Sequence, residues 1–360
     1  MTHSNRRSFL AATAASVWAA SASDGDTTDG KRVKVGQIGT RHAHASGKID
    51  AVRKFPEIFD VVGVAENDEA RQKRVAQSNS YRDLPWMTQD QLLNVPGLQL
   101  VLVETQIDQL LPVAERCIAA GKHIHLDKPA GTSLAHFRQI CAAADARQLA
   151  IQMGYMFRGN PAFRFLFRAV RAGWLGDIFQ IHCEMSKKVG DSSRRELARY
   201  QGGAMFELGC HLLDSVVAIL GKPKSVTAIN SNTRPDEDDL MDNCLAVLSY
   251  DRAAATVKSA VCEVEGFRRR QFVVCGTEGS ISIQPLEPPE LTLSLDKQIE
   301  AYAKGTQKVE LPGSTGRYDA ELLHLADVIR GIAQPEFNTA HDLVVQEVLL
   351  AASEMPSSGK

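Results

Sequence analysis

Gly121-Lys122-His123-Ile124-His125-Leu126-Asp127-Lys128-Pro129-Ala130-Gly131 is the stretch that decides the fold class of this chain. An apolar helical pattern runs into it and stops at Gly121. His123 to Leu126 reads as a short strand, followed at once by a carboxylate, a lysine and a proline. In an open parallel sheet, ligands bind in the crevice outside the carboxyl ends of the strands. A lysine just past such an end points its ammonium into that crevice, so Lys128 is the first candidate for chemistry. A solvated loop lysine is the competing reading of these residues alone.

Outward from this stretch, the first half alternates strand and helix. Lys31 to Ile38, Phe59 to Ala65, Leu98 to Val103 and Ile151 to Tyr155 read as strands. Gly47 to Phe55, Glu69 to Ser78, Asp108 to Ala120 and Ala135 to Arg147 read as helices, the third with Leu110, Ala114, Cys117 and Ile118 on one face. That alternation predicts a parallel, Rossmann-type sheet over residues 32–150. After a helix at Ala162 to Ala172 the pattern changes to strand runs with few helices between them, from Ile178 to Leu295. This predicts a domain with an open, mostly antiparallel sheet over residues 151–355, closed by helices at Ala320 to Arg330 and Leu343 to Ala352. The fold class is thus α/β followed by α+β.

The chain has 360 residues, 44% hydrophobic and 23% charged, with a net charge of −2. This is a globular composition with no basic stripe, and it argues against nucleic acid as a partner. Ser4-Asn5-Arg6-Arg7-Ser8-Phe9-Leu10, an Ala-rich run and Ala20-Ser21-Ala22 resemble a twin-arginine export signal over residues 1–22. Residues 23–31 then read as a linker, and the expected location is periplasmic or otherwise extracytoplasmic, after export in the folded state. The run is too short and weakly apolar for a membrane span. The seven cysteines form no C-x-x-C and no even disulfide framework. They read as buried small hydrophobes, in keeping with folding in a reducing compartment before export.

The first glycine turn is Gly36-Gln37-Ile38-Gly39-Thr40-Arg41-His42-Ala43-His44. A dinucleotide fingerprint wants three glycines. Gly39 fills the first place, while Arg41 and His44 stand in the other two. Arg41 either adds a charge-assisted contact to a phosphate or blocks its approach. Glu66 ends the second strand, where a carboxylate takes ribose hydroxyls, which favours NAD over NADP. His42-x-His44 and His123-x-His125 invite a metal reading, but metal-dependent hydrolase barrels need strand–helix alternation throughout, and no metal is expected. Further on, Gly202 to Asp214 places Glu207 and His211 four residues apart, on one face of an expected helix. A neutral imidazole beside a carboxylate is a proton acceptor near neutral pH. A capped helix with a satisfied histidine is the alternative. Asp236 to Asp239, Arg268 to Arg270 and the cluster Arg194, Arg195, Arg199 read as solvated, the second with an interface and the third with a binder for an acidic sugar as the alternative.

Taken in order, these segments resemble the glucose–fructose oxidoreductase/inositol dehydrogenase/rhizopine catabolism family, Gfo/Idh/MocA. The resemblance covers nearly all of residues 31–355. It rests on the glycine turn, Ala120-Gly121-Lys122-His123 with Asp127-Lys128-Pro129, Gly202 to Asp214, and Gly276-Thr277-Glu278-Gly279-Ser280. It implies hydride transfer between NAD, with NADP as the alternative, and a hydroxyl carbon of a sugar or polyol. Lys128 would hold the reacting oxygen, His211 would be the base, and Glu207 would orient the base or the substrate. Gly36, Gly39, Thr40, Arg41, His42, Glu66, Thr105, Asp127 and Lys128 would bind the cofactor. Tyr155, Arg158 and Asp214 would bind the substrate. The resemblance also implies a homo-oligomer, dimer or tetramer. The sequence departs from the family pattern at the second and third fingerprint glycines, after Thr105, and at Glu207, where aspartate is usual. An NAD-dependent glycosidase and a non-catalytic sugar-binding protein are the alternative functions.

Overall fold

A computed structural model describes residues 32–313 and 316–356. The expected signal and linker, residues 1–31, lie outside the described residues. Among the described residues, six strands form an all-parallel sheet: β1 (Val33–Ile38), β2 (Phe59–Ala65), β3 (Trp86–Met87), β4 (Leu100–Val103), β5 (His123–Leu126) and β6 (Ile151–Met153). Their order is β3-β2-β1-β4-β5-β6. The chain therefore reverses its direction of growth between β1 and β4, and this switch point opens a crevice at the strands' carboxyl ends. The helix Ile107–Ala119 covers the sheet because Leu110, Ala114, Cys117 and Ile118 recur at helical spacing and are buried. β6 belongs to this sheet, so the parallel layer extends to Met153, just past the expected boundary.

The remaining strands form an eight-stranded sheet: β7 (Ile178–Glu184), β8 (Ser225–Ser231), β9 (Asn243–Ser249), β10 (Ala254–Ala260), β11 (Gln271–Gly276), β12 (Gly279–Leu286), β13 (Pro289–Leu295) and β14 (Gly305–Val309). Their order is β14-β13-β12-β11-β7-β10-β9-β8. All neighbours are antiparallel except β7 and β10. Alternation along these strands sends Cys183, Val257, Phe272, Ile281 and Leu293 into the core. The helix Pro161–Arg171 packs beneath them, started by the Asn160 side chain, which accepts the Ala162 amide at 2.9 Å, and by proline at the first helical position.

β3, β14 and the short helices Gln89–Leu93 and Asp191–Leu197 were not legible as elements. A two-residue strand carries no periodicity. β14 is an edge strand whose residues are mostly exposed, so it needs no apolar alternation. The larger difference lies at Met205–Gly209, a π-helical turn ahead of the α-helix Cys210–Leu220. The i→i+5 ladder of a π turn breaks the i,i+4 stacking that the sequence predicts for Glu207 and His211.

Candidate active site

The cofactor end is built by the β1 turn. Gly39 has φ +86°, and a Cβ there would stand 2.8 Å from the backbone of Glu104. Only glycine meets both demands. Gly36, by contrast, lies inside β1 against Leu92, whose Cδ1 would be 2.7 Å from an added Cβ. Gly36 is therefore a packing glycine, which corrects its expected place in the cofactor site. Beyond the turn, Gly39, Arg41, Glu66, Asp68, Thr105 and Gln106 line a cleft of about 260 Å³ at the ends of β1, β2 and β4.

Glu66 accepts the Thr40 amide at 3.0 Å, the Thr40 hydroxyl at 2.7 Å and the Asp68 amide at 3.1 Å. Arg71 Nε donates to the same Thr40 hydroxyl at 2.8 Å. Arg41 turns aside to pair with Asp68. The residues fit a dinucleotide: a carboxylate offers about four lone-pair sites, so Glu66 retains capacity for a ribose hydroxyl.

His42 and His44 fold back on Asp127. Their Nδ1 atoms lie 2.8 Å and 3.3 Å from its Oδ2, and His42 Nε2 lies 3.1 Å from the Lys128 carbonyl oxygen. These two side chains, of which His44 stands in a fingerprint-glycine place, thereby fasten the turn to the strand end that carries the lysine. Behind them, Lys48 is fully buried, 3.2 Å from Asp127, 3.4 Å from Glu104 and 3.3 Å from His125 Nδ1. His125 Nε2 meets Glu321 at 3.2 Å. Burial works against the Lys48 charge, but Asp127 and Glu104 outweigh it and its pKa rises. Burial and the neighbouring Asp127 push Glu104 well up, while the histidines and Lys48 overcome burial to hold Asp127 well down. His42, His44 and Asp127 bring three ligand atoms within 4.8 Å of one another. The Lys48 ammonium already stands where a cation would neutralise that carboxylate. The sequence pointed to the two histidines but not to Lys48. Its signal was a lysine on the buried stripe Ala45, Lys48, Ile49, Val52.

The reacting end combines β5 with the π turn. Lys128 is buried and donates to the Glu207 carbonyl at 2.6 Å and to its carboxylate at 3.2 Å. Burial opposes this charge, yet the facing carboxylates raise the Lys128 pKa. Burial likewise opposes the Glu207 charge, but Lys128 and then Lys187 bring its pKa down to about 2. His211 is buried with its ring 5.8 Å from Phe157, 6.1 Å from Tyr155 and 6.3 Å from His44. Its Nδ1 has no hydrogen-bond partner among the described residues. Burial, then the positive Lys128, pushes its pKa well below the ordinary range. Glu207 and His211 are not hydrogen-bonded: the π turn gives the carboxylate to Lys128 instead.

Tyr155 is buried beside His211, with the Arg158 guanidinium 5.0 Å from its ring centre. Arg158 and Asp214, expected to bind substrate, are occupied with each other. Arg158 Nη2 donates to Asp214 at 2.6 Å and to Asp342 at 2.5 Å, and His341 lies 3.1 Å from Asp214. These charges are buried and mutually paired, so they brace the floor beneath the histidine rather than reach a ligand. Arg194 is also buried, donating to Asp238 and Asp242 at 2.5 Å. Neither that arginine nor the acidic loop is merely solvated. Arg270 of the other basic cluster is buried too, at 4% exposure.

Residues 33–155 match the family described as "Oxidoreductase family, NAD-binding Rossmann fold", and residues 163–282 match the "GFO/IDH/MocA C-terminal domain". The chain belongs to the Gfo/Idh/MocA oxidoreductase family. It is an NAD(P)-dependent oxidoreductase of that family. It is 23% identical over 338 residues to the uncharacterized oxidoreductase YdgJ of Escherichia coli, spanning 88% of this chain and 94% of that one. It is 26% identical over 223 residues to the trans-1,2-dihydrobenzene-1,2-diol dehydrogenase of Bos taurus, spanning 61% of this chain and 64% of that one. The fold is shared with the aldose-aldose oxidoreductase of Caulobacter crescentus, at TM-score 0.76 and 20% identity, covering 90% and 97% of the two chains.

Proposed function

We propose that this protein oxidises, reversibly, a hydroxyl carbon of a sugar, polyol or related carbohydrate, with NAD as the tightly held cofactor. The observation that carries the reading is the Lys128 ammonium, buried and fixed by Glu207, beside the unpartnered Nδ1 of neutral His211. NAD(P) supplies the hydride acceptor. The chain must do the rest. Lys128 holds the substrate oxygen and stabilises the alkoxide as the hydroxyl proton leaves. His211 accepts that proton, being neutral across the physiological range. Glu207 fixes the ammonium and acts on the lysine, not on the imidazole. Glu66 favours NAD, since its carboxylate takes ribose hydroxyls and repels a 2′-phosphate.

Location outside the cytoplasm is part of this proposal. It is supported by the paired arginines and Ala20-Ser21-Ala22, while the seven free cysteines of the described residues fit folding in a reducing compartment before export. Free NAD is scarce outside the cytosol, so the cofactor would travel inside the folded protein. The test is to denature protein made in the cytosol and weigh the released nucleotide. Stoichiometric NAD or NADH supports the reading. A protein that is empty and does not bind added NAD overturns it. A second assay then follows NADH formation across sugars and polyols.

A further inference from the structure

A surplus of positive charge stands beside Glu207 that the reaction outlined above does not use. Ser259 ties its origin together: the Ser259 hydroxyl oxygen lies 3.0 Å from the Ala204 carbonyl, at the start of the π turn, and 3.1 Å from that of Met185. The segments that carry Glu207 and Lys187 thus diverge from one pin. Lys187 makes no direct ion pair among the described residues, and its charge acts on Glu207. Beside it, Arg270 Nε donates to the Ser186 carbonyl at 3.1 Å, while its guanidinium lies over the Phe267 ring at 4.0 Å. Arg270 and Arg317 then share one carboxylate, Glu287, at 3.6 Å and 2.6 Å. Arg317 precedes Tyr318, whose ring lies 5.7 Å from that of His44, so this wall reaches round to the cofactor turn.

The charges do not balance. Apart from Asp127, which Lys48 already neutralises, Lys128, Lys187, Arg270 and Arg317 face Glu207 and Glu287. The neighbouring cluster is balanced, with Lys258 and Arg269 matched by Glu184 and Glu263. A partly buried cation surplus is costly unless an anion completes it. We infer that, within the proposed carbohydrate oxidation, the substrate is an anionic sugar whose carboxylate or phosphate is held by Lys187, Arg270 and Arg317 while its hydroxyl meets Lys128. Guanidinium pairs suit such planar or tetrahedral oxyanions because they donate in forks. The acid-binding role that the sequence offered to Arg194 and its neighbours passes to this wall, because Arg194 is already paired.

The inference rests on the oxidoreductase reading for its geometry, but its test does not need turnover. Calorimetry of the full mature chain with saturating NAD would compare D-glucuronate and D-galacturonate, glucose 6-phosphate and galactose 6-phosphate, and neutral glucose and galactose. At least one anionic probe should bind about tenfold or more tighter than its neutral counterpart, an advantage that added salt erodes. A uronate advantage assigns the carboxylate, and a 6-phosphate advantage the phosphate. In Lys187→Ala and Arg317→Ala, both on solvent-accessible segments, the anionic-to-neutral ratio should fall about tenfold. Equal affinities, neutral preference, or no binding by any anionic probe overturns the inference. A probe that binds without NADH formation instead counts against the oxidoreductase reading and leaves the anion site standing.

Discussion

Lys128 Nζ lies 2.6 Å from the Glu207 carbonyl and 3.2 Å from the carboxylate of the same residue. One glutamate therefore holds the ammonium twice, once through the π-helical backbone and once through its side chain. The carbonyl contact survives any substitution of the side chain, so the lysine's placement and its charge balance are separable by mutation.

Lys128→Met should lower kcat/KM for NADH formation at least about 100-fold, as removal of an oxyanion donor does. Bound nucleotide, measured by mass spectrometry, should remain. A loss of only a few-fold would take the lysine out of the chemistry.

Glu207 has its pKa held down to about 2, against an unfolded value near 4.3. A depressed carboxylate stabilises the fold above its unfolded pKa and loses that contribution as pH falls through the folded one. Wild-type stability should therefore decline between about pH 5 and 2. Glu207→Gln should show a shallower decline in urea midpoint over that window.

His211 is buried neutral, with a pKa well below the ordinary 6.5. Its acceptor form persists down to that lowered value, so kcat/KM should not fall through pH 6.5 as it would for an exposed histidine. His211→Gln should cost about 100-fold or more across the profile. An acid limb centred at 6.5 would assign the base elsewhere.

Glu66 accepts two hydrogen bonds from Thr40 of the glycine turn and one from the Asp68 amide, and faces the cleft. Glu66→Ala should weaken NAD binding by about 10- to 100-fold, read by calorimetry, through loss of a charged acceptor. NADP binding should weaken less, since the repulsion of its phosphate is removed as well.

Lys48 is fully buried against Asp127 and Glu104. Removing one member of such a pair leaves a buried charge uncompensated, at a cost of about 3–5 kcal/mol. Lys48→Met should lose about that much stability in urea denaturation. A neutral outcome would mean that His42 and His44 alone neutralise Asp127.

The parallel sheet and its switch point were legible because helix and strand periods alternate cleanly from β1 to β6. Lys128 was legible because it follows a strand end, and His211 because it lies within the glycine-led segment Gly202 to Asp214. What the sequence hid was long-range pairing. Arg158 and Asp214 are 56 residues apart and Arg158 and Asp342 are 184 apart, so no local pattern announces that these charges cancel. Arg270 hides for a related reason: it stands in a run of three arginines whose other two sit outside the core. The π turn was invisible because its ladder is a property of backbone register, not of residue type.

The parallel pairing of β7 with β10 has a consequence for assembly. β7 emerges first from the ribosome, yet its two neighbours are β10 and β11, whose last residues are Ala260 and Gly276. Until then the central strand presents both edges unpaired, and such edges invite pairing with other chains. The meanders β8-β9-β10 and β11-β12-β13-β14 can each close from local contacts. The strand between them must wait for both, so joining these two ribbons across β7 should be the slow, aggregation-exposed step of folding.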